Sequence, residues 1–217
     1  MTELLVSFFD YTAKLPWLEL IAMLLALAYV LWAAIGSIWC WPAAFFSTAL
    51  YTYIFYDVSL LMDSALNIYY LIMAVYGYWI WQKDSSHTNS QQSKAHLTIV
   101  SWQLNIHVKA CLILTVISFI LGYFMANFSS AHFPYFDTFT TVFAIFATYL
   151  VTQKVLENWI YWIVIDVVSI YLYLAKDLIP TVVLFGIYII IATWGYFKWL
   201  SLYKQRHLNV QTTVSGY

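Results

Sequence analysis

Residues 159–199 read WIYWIVIDVVSIYLYLAKDLIPTVVLFGIYIIIATWGYFKW and contain two apolar runs, separated by a short stretch that includes Lys176 and Asp177. Each run approaches the length of about 20 residues that a helix needs to cross a bilayer. Further runs of this kind lie at 17–36, 41–57, 60–81, 106–126 and 134–153, while the two quoted runs lie at 159–175 and 178–200. The sequence therefore predicts an all-α integral membrane protein with seven transmembrane helices.

The composition agrees with a membrane protein and argues against an enzyme. Of 217 residues, 64% are hydrophobic and only 9% are charged, whereas a soluble domain has about 25% charged residues. The seven runs leave no room for a soluble catalytic domain, and no HExxH, GxSxG or phosphate-loop pattern occurs. Residues 178–197 contain no lysine, which excludes a retinal-type photoreceptor. The isolated Cys40 and Cys111 predict neither a metal site nor a disulfide, no cofactor is expected, and a net charge of −1 argues against nucleic acid as a partner.

Positive charges are distributed unequally between the two sides of the predicted spans. One side carries Lys83, Lys94, Lys109, Lys154, Lys198, Lys204 and Arg206, whereas the other carries Lys14 and Lys176. Because Lys and Arg favour the cytoplasmic side of a membrane, we expect the N-terminus outside and the C-terminus inside.

An internal repeat relates the two ends of the chain. A shift of 118 residues aligns 41–81 with 159–199 without a gap, and ten of the 41 aligned positions are identical, whereas a composition this biased gives about three matches by chance. Accidental matches between aromatic residues at similar membrane depths are the alternative explanation. Spans one to three thus repeat as spans five to seven. A group of three spans ends on the opposite side of the membrane from where it starts, so a second group that followed directly would be inverted. Span four adds one crossing and gives both groups the same orientation. The sequence therefore predicts two parallel three-helix repeats joined by a linking helix (3+1+3), with substrate near the midplane between them.

This arrangement divides the chain into six segments. Residues 1–16 form an interfacial segment or a ragged terminus, and residues 204–217 form a polar cytoplasmic tail that we expect to lack regular structure. Between them lie the first three-helix repeat (17–81), a flexible cytoplasmic linker (82–105), the linking helix and its loop (106–133), and the second three-helix repeat (134–203).

Asp166 is a carboxylate near the middle of the sixth span. Such a group costs about 2.5–3.5 kcal/mol on insertion scales, so it normally faces a bundle interior or a wet cavity. Trp159 and Trp162 precede it at helical spacing and share its face. Two indole rings beside a negative charge favour an aromatic cation, since each cation–π contact contributes about 0.5–2 kcal/mol. The alternatives are that Trp159 belongs to an interfacial aromatic belt and that Asp166 pairs with a hydroxyl for packing.

A second polar face lies on the third span, where Asp63, Asn67 and Tyr70 share one side of the predicted helix. We expect these residues to contact the same substrate from the opposite repeat. Asn67 has an alternative role as an interhelical hydrogen-bonding residue. The 118-residue shift pairs Asp166 with Thr48, so the helices repeat but their polar side chains do not. An asymmetric ligand that lies between the two repeats would require such a difference.

The segment KVLENWxxWxxxDVVS at 154–169 resembles the PnuC family of vitamin transporters. Further marks of the resemblance are WLEL at 17–20, ALNxYY at 65–70, YGYxxW at 76–81 and FD at 136–137, so that it covers nearly all of 17–199. The resemblance implies a 3+1+3 transporter of the bacterial inner membrane that moves its cargo by facilitated diffusion. It also implies that a cytoplasmic kinase traps the cargo by phosphorylation.

The resemblance implies nicotinamide riboside or thiamine as cargo, both of which contain an aromatic cation. Members that carry nicotinamide riboside have Asn where this chain has Asp166 and Gln where it has Asn67. An ionised carboxylate only accepts hydrogen bonds, and leaving a cargo carbonyl against it costs about 1–3 kcal/mol. Thiamine is therefore the expected cargo and nicotinamide riboside the alternative. The rival of another class is a vitamin-binding subunit or sensor that needs a partner; the sequence leaves the oligomeric state open.

Overall fold

The computed structural model describes residues 17–57, 61–86, 98–129, 133–175 and 179–214. These residues form seven α-helices: α1 (Trp17–Ala34), α2 (Cys40–Asp57), α3 (Leu61–Ser86), α4 (Leu104–Phe128), α5 (Pro134–Thr152), α6 (Asn158–Ala175) and α7 (Ile179–Val214). Within the described ranges there is no β-strand, and a single isolated bridge pairs Val100 with Val155. The predicted all-α class is confirmed.

Five of these helices are long and apolar enough to cross a membrane, namely α1, α4, α5, α6 and the part of α7 from Thr181 to Arg206. The described parts of α2 and α3 are rich in tyrosine and hydroxyl residues, which lowers their hydropathy. α4 carries large apolar side chains such as Leu112, Val116 and Phe119 on its exposed face. In a bilayer this apolar surface is solvated by lipid tails.

The helix packing has a matched pattern in the two halves of the chain. α2 packs on both α1 and α3, and α6 packs on both α5 and α7. Across the halves, α1 contacts α7 and α3 contacts α5, so the first helix of each group meets the third helix of the other. α4 packs on α5. Two repeats related by a twofold axis would pack in this way; the 3+1+3 arrangement itself stays a prediction.

Helix starts repeat as well. Glu19 lies in the first turn of α1 and Asp137 in the first turn of α5, and these two residues are 118 apart in the sequence. A carboxylate in the first turn is stabilised by the positive end of the helix dipole. Pro134 begins α5, where its missing N–H costs no hydrogen bond.

Four tryptophans at repeat-related positions form one aromatic cluster, which we call the tryptophan cluster: Trp41, Trp81, Trp159 and Trp199. Trp41 lies 5.3 Å from Trp81 and Trp159 lies 5.5 Å from Trp199 between ring centroids, both nearly perpendicular, and Trp81 and Trp199 are 6.2 Å apart. Trp199 Nε1 donates to the carbonyl of Ala33 at 3.1 Å, and Trp81 Nε1 donates to the carbonyl of Thr152 at 3.2 Å. Both hydrogen bonds run from the third helix of one half to the first helix of the other.

Glycines allow two of these rings to pack closely. The ring of Trp159 lies against Gly195, where an added Cβ would be 2.8 Å from Cζ2, and the ring of Trp41 lies in the same way against Gly77. Both contacts fall on repeat-related positions, so the repeat extends to the packing of side chains. Glycine is required there because any Cβ would overlap the indole.

The structure corrects two expectations about the polar segments. α7 continues to Val214, so 204–214 is helical rather than irregular, since no Gly or Pro interrupts the chain between Gly195 and Gly216. The segment 82–105 is only partly a linker: α3 continues to Ser86, α4 already begins at Leu104, and Ile99 is buried in the core that includes Trp199. Residues 1–16 and 87–97, which include the N-terminal segment, lie outside the described residues.

Candidate binding cavity

A cavity of about 250 Å³ lies between the helices, and α4 alone among the seven described helices contributes no lining residue. Small-molecule sites begin at about 300 Å³, so the cavity suits a compact molecule of one or two rings. The lining residues are Ala26, Tyr29, Val30, Ala33, Trp41, Ala44, Ser47, Thr48, Tyr51, Asn67, Tyr70, Thr148, Val151, Trp159, Trp162, Asp166, Phe185, Tyr188 and Ala192.

Five of the six residues predicted from the sequence line this cavity together: Trp159, Trp162 and Asp166 from α6, and Asn67 and Tyr70 from α3. The helical spacing correctly indicated which residues share a face, and the packing brings the two faces to one space. Asp63 lies on α3, but its side chain falls outside the described part of the structure. That these residues bind a substrate stays a prediction.

Asp166 is buried, with 4% of its surface exposed, and lines the cavity. It makes no hydrogen bond or ion pair with any residue that the structure describes. The alternative that Asp166 pairs with a hydroxyl therefore finds no such partner among those residues. Because a buried ionised group without a partner is costly, a cation or hydrogen-bond donor inside the cavity would stabilise it.

Trp159 forms a rigid wall of the cavity. It is 2% exposed, which is incompatible with a place in a lipid-facing aromatic belt. Its ring is held between Gly195 and the perpendicular ring of Trp199. Trp162 is half-buried and packs against both hydrophobic clusters of the core. Of the two indoles, Trp162 therefore keeps the larger exposed surface for a flat ligand, while Trp159 is held in place by its neighbours.

Sequence reasoning missed several lining residues, and the repeat would have found some of them. Tyr188 is the repeat partner of Tyr70 and lines the cavity with it. Seven pairs of lining residues are separated by 118 positions: Val30 with Thr148, Ala33 with Val151, Trp41 with Trp159, Ala44 with Trp162, Thr48 with Asp166, Asn67 with Phe185 and Tyr70 with Tyr188. The cavity is thus built from equivalent positions of the two halves. Tyr29 and Ser47, by contrast, carry no signal in the sequence that marks them.

Glu157, which belongs to the ENWxxW segment, faces away from the cavity. Its carboxylate accepts hydrogen bonds from the hydroxyl of Ser101 and, at 3.3 Å, from the backbone N–H of Trp102. His107 Nε2 lies 3.5 Å from the same carboxylate, and His107 Nδ1 lies 3.1 Å from the hydroxyl of Tyr161. Glu157 therefore attaches the start of α6, which carries the cavity residues, to the segment that precedes α4.

Comparisons with known proteins identify the family of the chain. Residues 16–201 match the family described as nicotinamide mononucleotide transporter. The nicotinamide riboside transporter PnuC of Escherichia coli (strain K12) is 22% identical over 211 residues, covering 88% of each chain. PnuC of Neisseria mucosa is 25% identical over 201 residues, covering 87% of this chain and 74% of that one. The riboflavin/roseoflavin transporter RibM of Streptomyces davaonensis is 23% identical over 194 residues, covering 89% of each.

A crystal structure of the vitamin B3 transporter PnuC shares the fold, with a TM-score of 0.72 at 21% identity, covering 93% of this chain and 90% of that one. The resemblance to the PnuC family is confirmed. The matched family is one of transporters, so the chain is a multi-pass membrane transporter and not an enzyme.

Proposed function

Because the chain belongs to the nicotinamide mononucleotide transporter family, we propose that it carries a small aromatic vitamin across a bacterial inner membrane, with nicotinamide riboside as the first candidate cargo. The observation that carries the proposal is the buried carboxylate of Asp166, which has no hydrogen-bond or ion-pair partner among the described residues and lines one cavity with Trp159 and Trp162. The names of two relatives as nicotinamide riboside transporters support the choice of cargo. These names favour nicotinamide riboside over thiamine, the cargo expected from the sequence, because none of these relatives is named as a thiamine transporter.

The lining chemistry suits a pyridinium ring with a carboxamide. Asp166 supplies the negative charge, and the faces of Trp159 and Trp162 supply stacking and cation–π attraction. Asn67, on the other wall, has an amide that both donates and accepts hydrogen bonds, as a carboxamide does. Tyr70, three residues further along α3, lines the same cavity and carries a hydroxyl.

Thiamine remains the second candidate because of Asp166. A carboxylate only accepts hydrogen bonds, so it suits a thiazolium charge or an amine donor and opposes a cargo carbonyl. Family membership alone does not select the cargo, since RibM, which is named for riboflavin and roseoflavin, is also a relative.

We propose uptake by facilitated diffusion, in which the two halves rock around the cavity and open it alternately to each side of the membrane. The N-terminus lies outside and the C-terminus inside in this proposal. A cytoplasmic kinase would then retain the cargo by phosphorylating it. Uptake by protein reconstituted in liposomes, without ATP or an ion gradient, tests this mechanism. Binding without uptake would instead support the rival class, a substrate-binding subunit or sensor that depends on a partner.

The protein contains eleven tryptophans, so titration with each vitamin can be followed by tryptophan fluorescence. This titration tests both the identity of the cargo and the role of Asp166. We expect nicotinamide riboside to quench emission and to bind more tightly than thiamine; the reverse order would make thiamine the cargo. Asp166→Asn keeps the shape of the side chain and removes its charge. We expect affinity for thiamine to fall about 10- to 150-fold, as for a hydrogen bond to a charged group of about 1.5–3 kcal/mol. Affinity for nicotinamide riboside should fall less, because an Asn side chain can hydrogen-bond its carboxamide.

Asp137→Asn is the matched control, since Asp137 lies in the first turn of α5 and does not line the cavity. Equal losses in the two variants would show that the effect of Asp166 is not local. Unchanged affinity in Asp166→Asn would refute its role as the charge partner.

A further inference from the structure

The two halves of the cavity differ in chemistry at four of the seven repeat-related pairs, and three of these pairs lie on α2, α3, α6 and α7. Where the α6–α7 side has Trp162, Asp166 and Phe185, the α2–α3 side has Ala44, Thr48 and Asn67. The α6–α7 wall is therefore aromatic and negative. At the same three positions the α2–α3 wall has uncharged side chains, two of them polar, and Ala44 stands where the other wall has an indole. A ligand on the axis between the halves meets a different surface at each end.

Thr48 has a defined hydrogen-bonding role on the second wall. Its Oγ1 donates to the backbone carbonyl of Ala44 at 2.8 Å and is 3.2 Å from the carbonyl of Phe45. A hydroxyl has one proton and two lone pairs. Because that proton is used within α2, Thr48 presents only an acceptor to the cavity that it lines.

We propose that Thr48 is a specificity residue that accepts a hydrogen bond from a hydroxyl or amino donor on the non-cationic end of the cargo. The cationic ring then lies against Trp162 and Asp166, and the donor-bearing end occupies the space beside Ala44. The recognised class is a flat cation joined to a group with at least one hydrogen-bond donor. This inference rests on the proposed function and assigns the orientation of its cargo.

The test compares a whole cargo with its ring alone, by titration of the purified full-length chain. Nicotinamide riboside is paired with the N-methylnicotinamide cation, and thiamine with N-methylthiazolium, so that the donor-bearing end is absent from the second probe of each pair. Thr48→Val preserves shape and removes the acceptor. We expect the whole cargo to bind about 2- to 12-fold more weakly, the range for one net neutral hydrogen bond, and the ring-only cation to bind as in the wild type.

Three further variants separate this role from helix packing. Thr52→Val removes a hydroxyl that donates to the carbonyl of Thr48 at 2.7 Å, one turn further along α2, but Thr52 does not line the cavity, so we expect both probes to bind normally. Thr48→Ser retains the acceptor and should restore binding of the whole cargo. Ala44→Leu fills the proposed space and should weaken the whole cargo more than the ring-only cation.

Equal weakening of both probes by Thr48→Val, or no effect on either, overturns the inference. In that case the proposed function still stands if Asp166→Asn weakens both probes, because both carry the positive charge. Failure of the wild type to bind any of the probes overturns the proposed function and the inference together.

Discussion

Gly195→Ala tests whether the glycine holds Trp159 as a fixed wall of the cavity. An added Cβ would lie 2.8 Å from Cζ2 and 2.9 Å from Cε2 of the indole, closer than carbon atoms pack. The ring cannot retreat freely, since Trp199 lies perpendicular to it at 5.5 Å between centroids. Either α7 moves away from α6 or the indole turns into the cavity.

Two opposing free-energy terms set the expected effect on stability. Replacing Gly by Ala inside a helix contributes about 1 kcal/mol of stability, while overpacking costs about 1–3 kcal/mol. The net expectation for Gly195→Ala is a free energy of unfolding lower by about 0–2 kcal/mol. Because the displaced ring enters a cavity of only about 250 Å³, cargo affinity should fall in the same variant.

Gly186→Ala is the matched control on the same helix. A Cβ at Gly186 has no neighbouring heavy atom within 4 Å, so only the favourable helix term remains and we expect equal or higher stability with unchanged affinity. Thermal unfolding in detergent and cargo titration measure both quantities. If Gly195→Ala is as stable as Gly186→Ala and binds cargo normally, the glycine does not position Trp159 and the reasoning fails.

Two further predictions concern contacts outside the cavity. Trp81→Phe keeps an aromatic ring but removes the hydrogen-bond donor to the carbonyl of Thr152. We expect thermal unfolding to show a free energy of unfolding lower by about 0.5–1.5 kcal/mol. An unchanged unfolding temperature would mean that this hydrogen bond between the halves does not stabilise the protein. Glu157→Gln removes the negative charge of the carboxylate that accepts hydrogen bonds from the Ser101 hydroxyl and the Trp102 N–H. Because this carboxylate is partly exposed, we expect the free energy of unfolding to fall by about 1 kcal/mol and the Trp102 amide to exchange hydrogen faster. Exchange at the wild-type rate would contradict the anchoring role of Glu157.

The cargo shows the limit of reasoning from one residue. The choice of thiamine over nicotinamide riboside as the expected cargo rested largely on Asp166, while the relatives favour nicotinamide riboside. A carboxylate in a binding site indicates that the ligand carries a positive charge, but it does not identify the other groups of that ligand. The remainder of the cargo is selected by residues from other helices, such as Asn67 and the lining residues of α2.

The sequence by itself determined the membrane class and the helices, because apolar length and helical spacing are local properties, and the constant shift of 118 residues predicted the repeat. It also placed Trp159, Trp162 and Asp166 on one face, since residues three and four apart are neighbours on a helix. Only the tertiary structure decided what that face meets: a cavity shared with α1, α2, α3, α5 and α7, and no described partner for the carboxylate. It likewise turned Glu157 toward Ser101 and away from its neighbours in the ENWxxW segment. The physical reason is that periodicity fixes the direction of a side chain relative to its own helix, whereas its neighbours depend on how separate helices pack.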